Sequence, residues 1–169
     1  MDANLELRIL VGLLAHPQGD ALDNVREWSE HCPWLVEPVL ELQRITLEEW
    51  QGEHTRLFIN GFPRTIAPPF LSVWNEGLMG GNGVGALQEV FREAGLEPVE
   101  GMPADYLGTL LEFLVYLQES SPAPGSMSGA VFKERFIQPW IQRFVSALRE
   151  GSALQLYRSL ADRLEMTLA

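Results

Sequence analysis

Cysteine occurs once in the 169 residues, at Cys32, so no intrachain disulfide can form and no thiolate cluster is available to a metal. Histidine is nearly as scarce. His16, His31 and His54 lie far apart, and none sits in a His-x-x-x-His, His-Glu or Cys/His ligand spacing, which removes the usual zinc and iron sites. His31 and Cys32 are neighbours in sequence, but adjacent residues on a helix point ~100° apart and seldom meet, so the expectation for Cys32 is a buried, inert thiol. Basic residues number 12 against 23 acidic ones, a net charge of −11 that argues against nucleic acid, because phosphate binding needs a basic surface. No apolar run approaches the ~20 residues that span a bilayer. Met1-Asp2 opens an acidic stretch without the basic, apolar and small-residue regions of a secretory signal, and the expected location is cytoplasmic. Long alternating runs, internal repeats and low-complexity tracts are missing, which leaves strands with little support. Gly-x-Ser-x-Gly is absent, and no base or orienter can be nominated for Ser72, so no catalytic residue is assigned and no enzyme is expected. No metal or other cofactor is expected either.

What is present is apolar and helical in period. Hydrophobic residues make up 46% and charged residues 21%, ordinary globular values. A chain of this length can bury ~70% of its unfolded surface, enough for a core without staples, and residues 1–169 read as one all-helical domain. Leu5, Leu7, Ile9, Leu10, Leu13 and Leu14 are spaced for a helix that ends before Pro17. Asp20 to His31 forms a second, broken by Pro33, and Pro38 suits the first residue of another. Thr46 can cap the next helix, with Glu49 completing a capping box. Leu87, Val90, Phe91 and Ala94 define a further helix stopped at Gly95. Between it and Trp74 lie five glycines in the nine residues Gly77 to Gly85, read as a flexible hinge: the run lacks the settings of the nucleotide-binding glycine motifs. Ser120 to Ser126 reads as a surface linker. Phe132, Phe136, Trp140 and Phe144 recur every four residues around Pro139, which should kink or restart that helix. Charge is uneven: residues 1–60 carry 4 basic and 11 acidic side chains, 61–130 carry 2 and 8, and 131–169 carry 6 and 4. The acidic body can attract a cationic partner, or simply serve solubility.

The stretch from Glu53 to Trp74 organises the chain. Trp50, Leu57 and Phe58 share a helical face that leaves Glu53 and Arg56 off it, and the helix then stops. From Ile59 to Ser72 there is one charged side chain, Arg64, and three prolines. No regular helix can persist there, yet Ile59, Phe62, Ile66, Phe70 and Leu71 make the segment too apolar for a solvated loop. Such a connector must dock on the protein or bind something.

Leu57-Phe58 at a helix end, followed by Pro68-Pro69-Phe70-Leu71-Ser72-Val73-Trp74 opening the next element, resembles the TorD/DmsD group of redox-enzyme maturation chaperones. Pro103-Ala104-Asp105-Tyr106 is similar to that family's acid-proline-x-Asp-His helix start. Phe136-Ile137-Gln138-Pro139-Trp140 and Leu156-Tyr157-Arg158-Ser159-Leu160 resemble its carboxy-terminal stretches. The resemblance covers most of the chain after about residue 50. It implies an all-helical cytoplasmic chaperone that binds the twin-arginine signal peptide and precursor of a molybdenum-containing respiratory reductase. A small helical adaptor or assembly subunit is the alternative.

Tyr106 departs from the family pattern, since a phenol that stays neutral at physiological pH replaces a titrating imidazole. His54 stands where relatives often carry an aromatic, and Phe70 where they often carry Trp or Tyr. Pro103 suits a first helical turn, from which Asp105, Glu112 and Glu119 would form an acidic stripe opposite Leu107, Leu110, Leu111, Leu114 and Leu117. The expected peptide-binding region joins Leu71, Ser72 and Trp74 to Asp105 and Tyr106. Leu57, Phe58, Pro68, Pro69, Phe70, Pro103, Pro139 and Trp140 are its structural support. A monomer is the default expectation, although the glycine run and the 120–126 linker would permit helices to exchange between chains.

Overall fold

Several helix starts in this protein are fixed by an identifiable capping side chain. The computed structural model describes residues 2–120 and 126–168. Asp2 caps α1 (Ala3–Leu14) by accepting the amide of Asn4, and Thr46 and Glu49 form the reciprocal capping box that opens α4 (Leu47–Phe58). Between them lie α2 (Ala21–Ser29), a 3-10 turn at Pro33–Leu35 and α3 (Val36–Leu42). The sequence reading placed Pro38 at a helix start. The helix instead begins at Val36, because the 3-10 turn leads straight into it, and Pro38 is buried within its first turn.

The connector is followed by α5 (Leu71–Glu76), α6 (Asn82–Glu93), α7 (Leu107–Glu119), α8 (Gly129–Phe136), α9 (Gln138–Gly151) and α10 (Gln155–Leu168). The described residues contain no strand, only an isolated antiparallel bridge between Phe70 and Tyr106. Pro139 restarts the chain as expected: α8 ends at Phe136, and Pro139 occupies the first turn of α9. Pro103 does not open a helix. Residues 103–106 form a turn that ends extended at Tyr106, and α7 begins only at Leu107, so Asp105 never joins an acidic helical stripe. Of the proposed linker, residues 121–125 lie outside the described residues.

The longest packing seams run between α1 and α7 and between α9 and α10. One contiguous buried cluster extends from Leu7 to Leu168, with Trp140, Tyr157, Phe132 and Phe144 as its largest fully buried side chains. Cys32 lies in it, fully buried, and burial pushes its thiol pKa up. Carboxylates from distant segments close the loops. Glu41 accepts the amides of Gln155 and Leu156 at 2.9 and 3.2 Å, capping α10 across space. Glu53 accepts Ala153 N–H at 2.7 Å and two of the three nitrogens of Arg56, Nε and Nη2, and Nη2 also donates to the carbonyl of Gly151 at 2.6 Å. Burial raises the Glu53 pKa, but the Arg56 guanidinium and the Ala153 amide outweigh it and hold the carboxyl below its usual range.

Candidate functional site

The connector leaves α4 at Ile59 and returns to the core at Ala67, whose amide donates to the carbonyl of Leu57 at 2.8 Å. Ile66 packs so closely on the next layer that a Cβ at Gly151 would sit 2.4 Å from its side chain. From Pro68 onward the backbone is laced to the start of α7. The Pro69 carbonyl accepts Leu107 N–H at 2.8 Å, and the Asp105 carbonyl accepts Leu71 N–H at 3.1 Å. The Asp105 carboxylate accepts both the Ser72 amide at 3.0 Å and the Ser72 hydroxyl at 2.5 Å. That hydroxyl in turn accepts Gly80 N–H at 3.1 Å, reaching into the glycine run.

The glycine run is more specified than a hinge reading implies. Gly77 and Gly80 take positive φ, which glycine adopts without steric cost. Glu76 accepts the amides of Asn82 and Gly83 at 2.8 Å each and so caps α6, and a Cβ at Gly81 would collide with that carboxylate.

These elements frame a groove of about 650 Å³. Phe58, Ile66 and Phe70 line it on the connector side, Val73 and Trp74 on the α5 side, and Ala147 of α9 closes it. Trp74 is held in place, donating its indole N–H to the Pro68 carbonyl at 2.7 Å and meeting Phe144 edge-on at 6.2 Å. Ile59, Leu78 and Met79 also line the groove while largely exposed, and Phe62 of the connector, outside the lining, is 98% exposed. Only one charged residue lines the groove, Arg64. Exposed aromatic and aliphatic side chains gathered beside a concave apolar surface are what an interaction site requires.

The structure therefore brings the expected residues together but gives them different positions. Trp74 and Phe70 line the groove. Leu71, Ser72 and Asp105 lie beneath it, with Asp105 only 3% exposed and Ser72 fully buried, so in this conformation the Asp105 carboxylate faces Ser72 and not solvent. Tyr106 packs its ring against Phe70 at 5.8 Å and donates its hydroxyl to the Leu14 carbonyl at 3.1 Å; burial, with Glu112 nearby, pushes its pKa up to about 12. A Cβ at Gly108 would sit 2.4 Å from that ring, which accounts for glycine there. His54 also meets the Leu14 carbonyl, at 3.0 Å, and is itself 3% exposed; desolvation lowers its pKa. Leu57 is buried, and Phe58 stacks edge-on with His54 and Tyr157. Pro103 accepts the amide of Tyr106 and the hydroxyl of Thr109. Trp140 is buried and donates to the Phe136 carbonyl at 2.7 Å. The sequence reading missed the exposed pair Leu78-Met79, although two large apolar residues inside a glycine run are a readable signal. Among the described residues, no group of three or more His, Cys, Asp or Glu side chains is placed to hold a metal, and no helix is long and apolar enough to cross a membrane.

Comparison with known proteins gives these features a context. The sequence profile of the nitrate reductase delta subunit family matches residues 20–146. Chaperone protein YcdY of Escherichia coli (strain K12) is 23% identical over 141 residues, covering 81% of this chain and 73% of YcdY. The fold matches the crystal structure of a candidate redox enzyme maturation protein from Archaeoglobus fulgidus with a TM-score of 0.72 and 24% identity, over 98% of this chain and 94% of that one. The chain belongs to the nitrate reductase delta subunit family, as a redox-enzyme maturation chaperone of the TorD/DmsD type and not an enzyme.

Proposed function

We propose that this chaperone acts in the cytoplasm on the precursor of a molybdenum-containing oxidoreductase, binding its twin-arginine signal peptide before export. The observation that carries the reading is the connector groove, with an apolar lining, a single charge and exposed apolar side chains beside it. The apolar stretch of a signal peptide matches such a surface, and the chain's net negative charge favours encounter with a segment that also carries arginines. Trp74 and Phe70 contact the peptide in this reading. Leu71, Ser72, Asp105 and Tyr106 set the shape of the wall from below, while Pro68 and Pro69 present carbonyls that lock Trp74 and α7 in place.

Burying a large apolar side chain such as Met or Trp contributes about 1.5–3 kcal/mol, roughly 10- to 150-fold in affinity. Calorimetric titration with a client signal peptide should therefore show Met79→Ser and Trp74→Ala losing at least tenfold. Met79→Ser should melt like the parent because its side chain is largely exposed. A precursor stripped of its signal segment that bound as tightly as the intact one would remove the signal peptide from this account. Capture of cellular precursors followed by mass spectrometry identifies which reductase is served.

A further inference from the structure

We infer that a second cleft, between the end of α6 and the outer face of α7, docks a peptide segment in which an arginine adjoins apolar residues. It has a volume of about 350 Å³ and is floored by Phe91, Leu96 and Phe113, with Val99 and Met102 on its rim; Val99 is 75% exposed. Its two charged lining residues are both carboxylates, Glu97 and Glu112. Neither takes part in an ion pair among the described residues. Arg8 shares a neighbouring hollow with Glu112, but its guanidinium is turned to Glu119, with contacts of 2.8 and 3.0 Å. The cleft thus combines apolar surface with uncompensated negative charge, whereas the only charge in the connector groove is the cationic Arg64.

The chemistry singles out arginine. Glu112 and Tyr116 are four residues apart on α7, so they project from one face a turn apart. Tyr116 is steadied by its hydroxyl, which donates to the Ala94 carbonyl at 3.5 Å. A planar guanidinium can pair with the carboxylate through two N–H groups and lie against the tyrosine ring at the same time; a lysine ammonium has no plane to stack. Leu96, Val99 and Met102 then receive the neighbouring apolar side chains of the same segment.

The inference does not depend on the connector groove, and one experiment separates the two. The full chain is titrated with a synthetic twelve-residue peptide carrying two adjacent arginines followed by leucine and phenylalanine, and with a matched peptide carrying lysines instead. Methyl NMR signals of Val99 and Met102 report on the cleft, and those of Ile59 and Met79 on the groove. The arginine peptide should move the cleft signals, with the lysine peptide about fivefold weaker there. Glu112→Gln should weaken cleft binding about tenfold, Glu112→Asp should restore part of the loss, and Tyr116→Leu should abolish the preference for arginine. Trp74→Ala should leave the cleft response unchanged. Thermal melts accompany each variant, and Val99→Lys, at an exposed position, offers a block that repels the arginine while leaving the carboxylates in place. Cleft signals that stay still at millimolar peptide, or that respond alike to arginine and lysine and ignore Glu112, overturn the inference. Movement of Ile59 and Met79 alone supports the groove and rejects the cleft; the converse supports the cleft and rejects the groove.

Discussion

Replacing Asp105 tests whether its carboxylate belongs to the frame or to the reading surface. The carboxylate accepts the Ser72 amide and hydroxyl at 3.0 and 2.5 Å in a site with almost no solvent access. Hydrogen bonds to a charged group contribute about 1.5–3 kcal/mol each, and a buried donor left without a partner costs about 1–3 kcal/mol. Asp105→Ala should therefore destabilise by about 3–5 kcal/mol, toward the upper end because two donors are stranded together. In a protein of this size that lowers Tm by roughly 6–20 °C. Asp105→Asn keeps one acceptor but turns an amide NH2 toward a crowded donor pair, and should cost about 1–3 kcal/mol. Ser72→Ala removes the hydroxyl and leaves Gly80 N–H without its acceptor, so the Asp105 and Ser72 changes should be coupled by about 1–3 kcal/mol in a double-mutant cycle. Urea titration of the four proteins measures this directly. The reasoning fails if Asp105→Asn melts within a degree of the parent while peptide affinity drops. That pattern would match an exposed carboxylate–arginine pair, worth only about 0.2–1 kcal/mol.

His54 should make stability fall as pH drops below about 6.5. Its folded pKa lies below that of the unfolded chain because burial disfavours the cation, so the unfolded state takes up the proton first and the stability present above about pH 6.5 is lost as pH drops toward the folded value. The buried Nδ1 has no partner, and a His54→Gln variant should show a shallower slope over that window in denaturant titrations. Tyr106→Phe removes one of the two donors to the Leu14 carbonyl while His54 remains, which should cost only about 0.5–1.5 kcal/mol by thermal melt. The continuous core should unfold in one transition in a monomer, seen as coincident far- and near-ultraviolet circular dichroism curves at all protein concentrations; two separated steps would contradict the single-domain reading.

Local chemistry was legible in the sequence wherever a helix carried its own start signal. Thr46 and Glu49 announced their capping box, Pro139 its restart, and the leucine spacing of α7 and α10 their buried faces. The connector was legible as a docked or binding segment because apolar content and prolines conflict there. Side-chain positions that depend on distant partners were not. Asp105 looks like a helix-dipole carboxylate in sequence, and only the antiparallel approach of residues 69–72 turns it toward Ser72. Pro103 and Pro38 both suit a first helical residue by propensity, yet the 3-10 turn ahead of Pro38 starts α3 earlier, at Val36, and the backbone bonds between residues 69–71 and 105–107 keep residues 103–106 out of α7. Glu41, Glu53 and Glu76 were indistinguishable from solvated surface charges, because the amides they cap lie far along the chain or across a glycine turn.

Two carboxylates around the connector divide labour with the side chains of the wall they support. Asp105 from below and Glu76 from the side hold backbone amides, so the course of the chain around the groove is fixed by groups outside its lining. Ile59, Leu78 and Met79 line the groove, hang outward from that fixed course and contribute little to it. If the groove reads the client as proposed, a change among these three would alter what it prefers while leaving its outline standing, so a lineage of such proteins could exchange one client for another by altering a few side chains on an unaltered backbone.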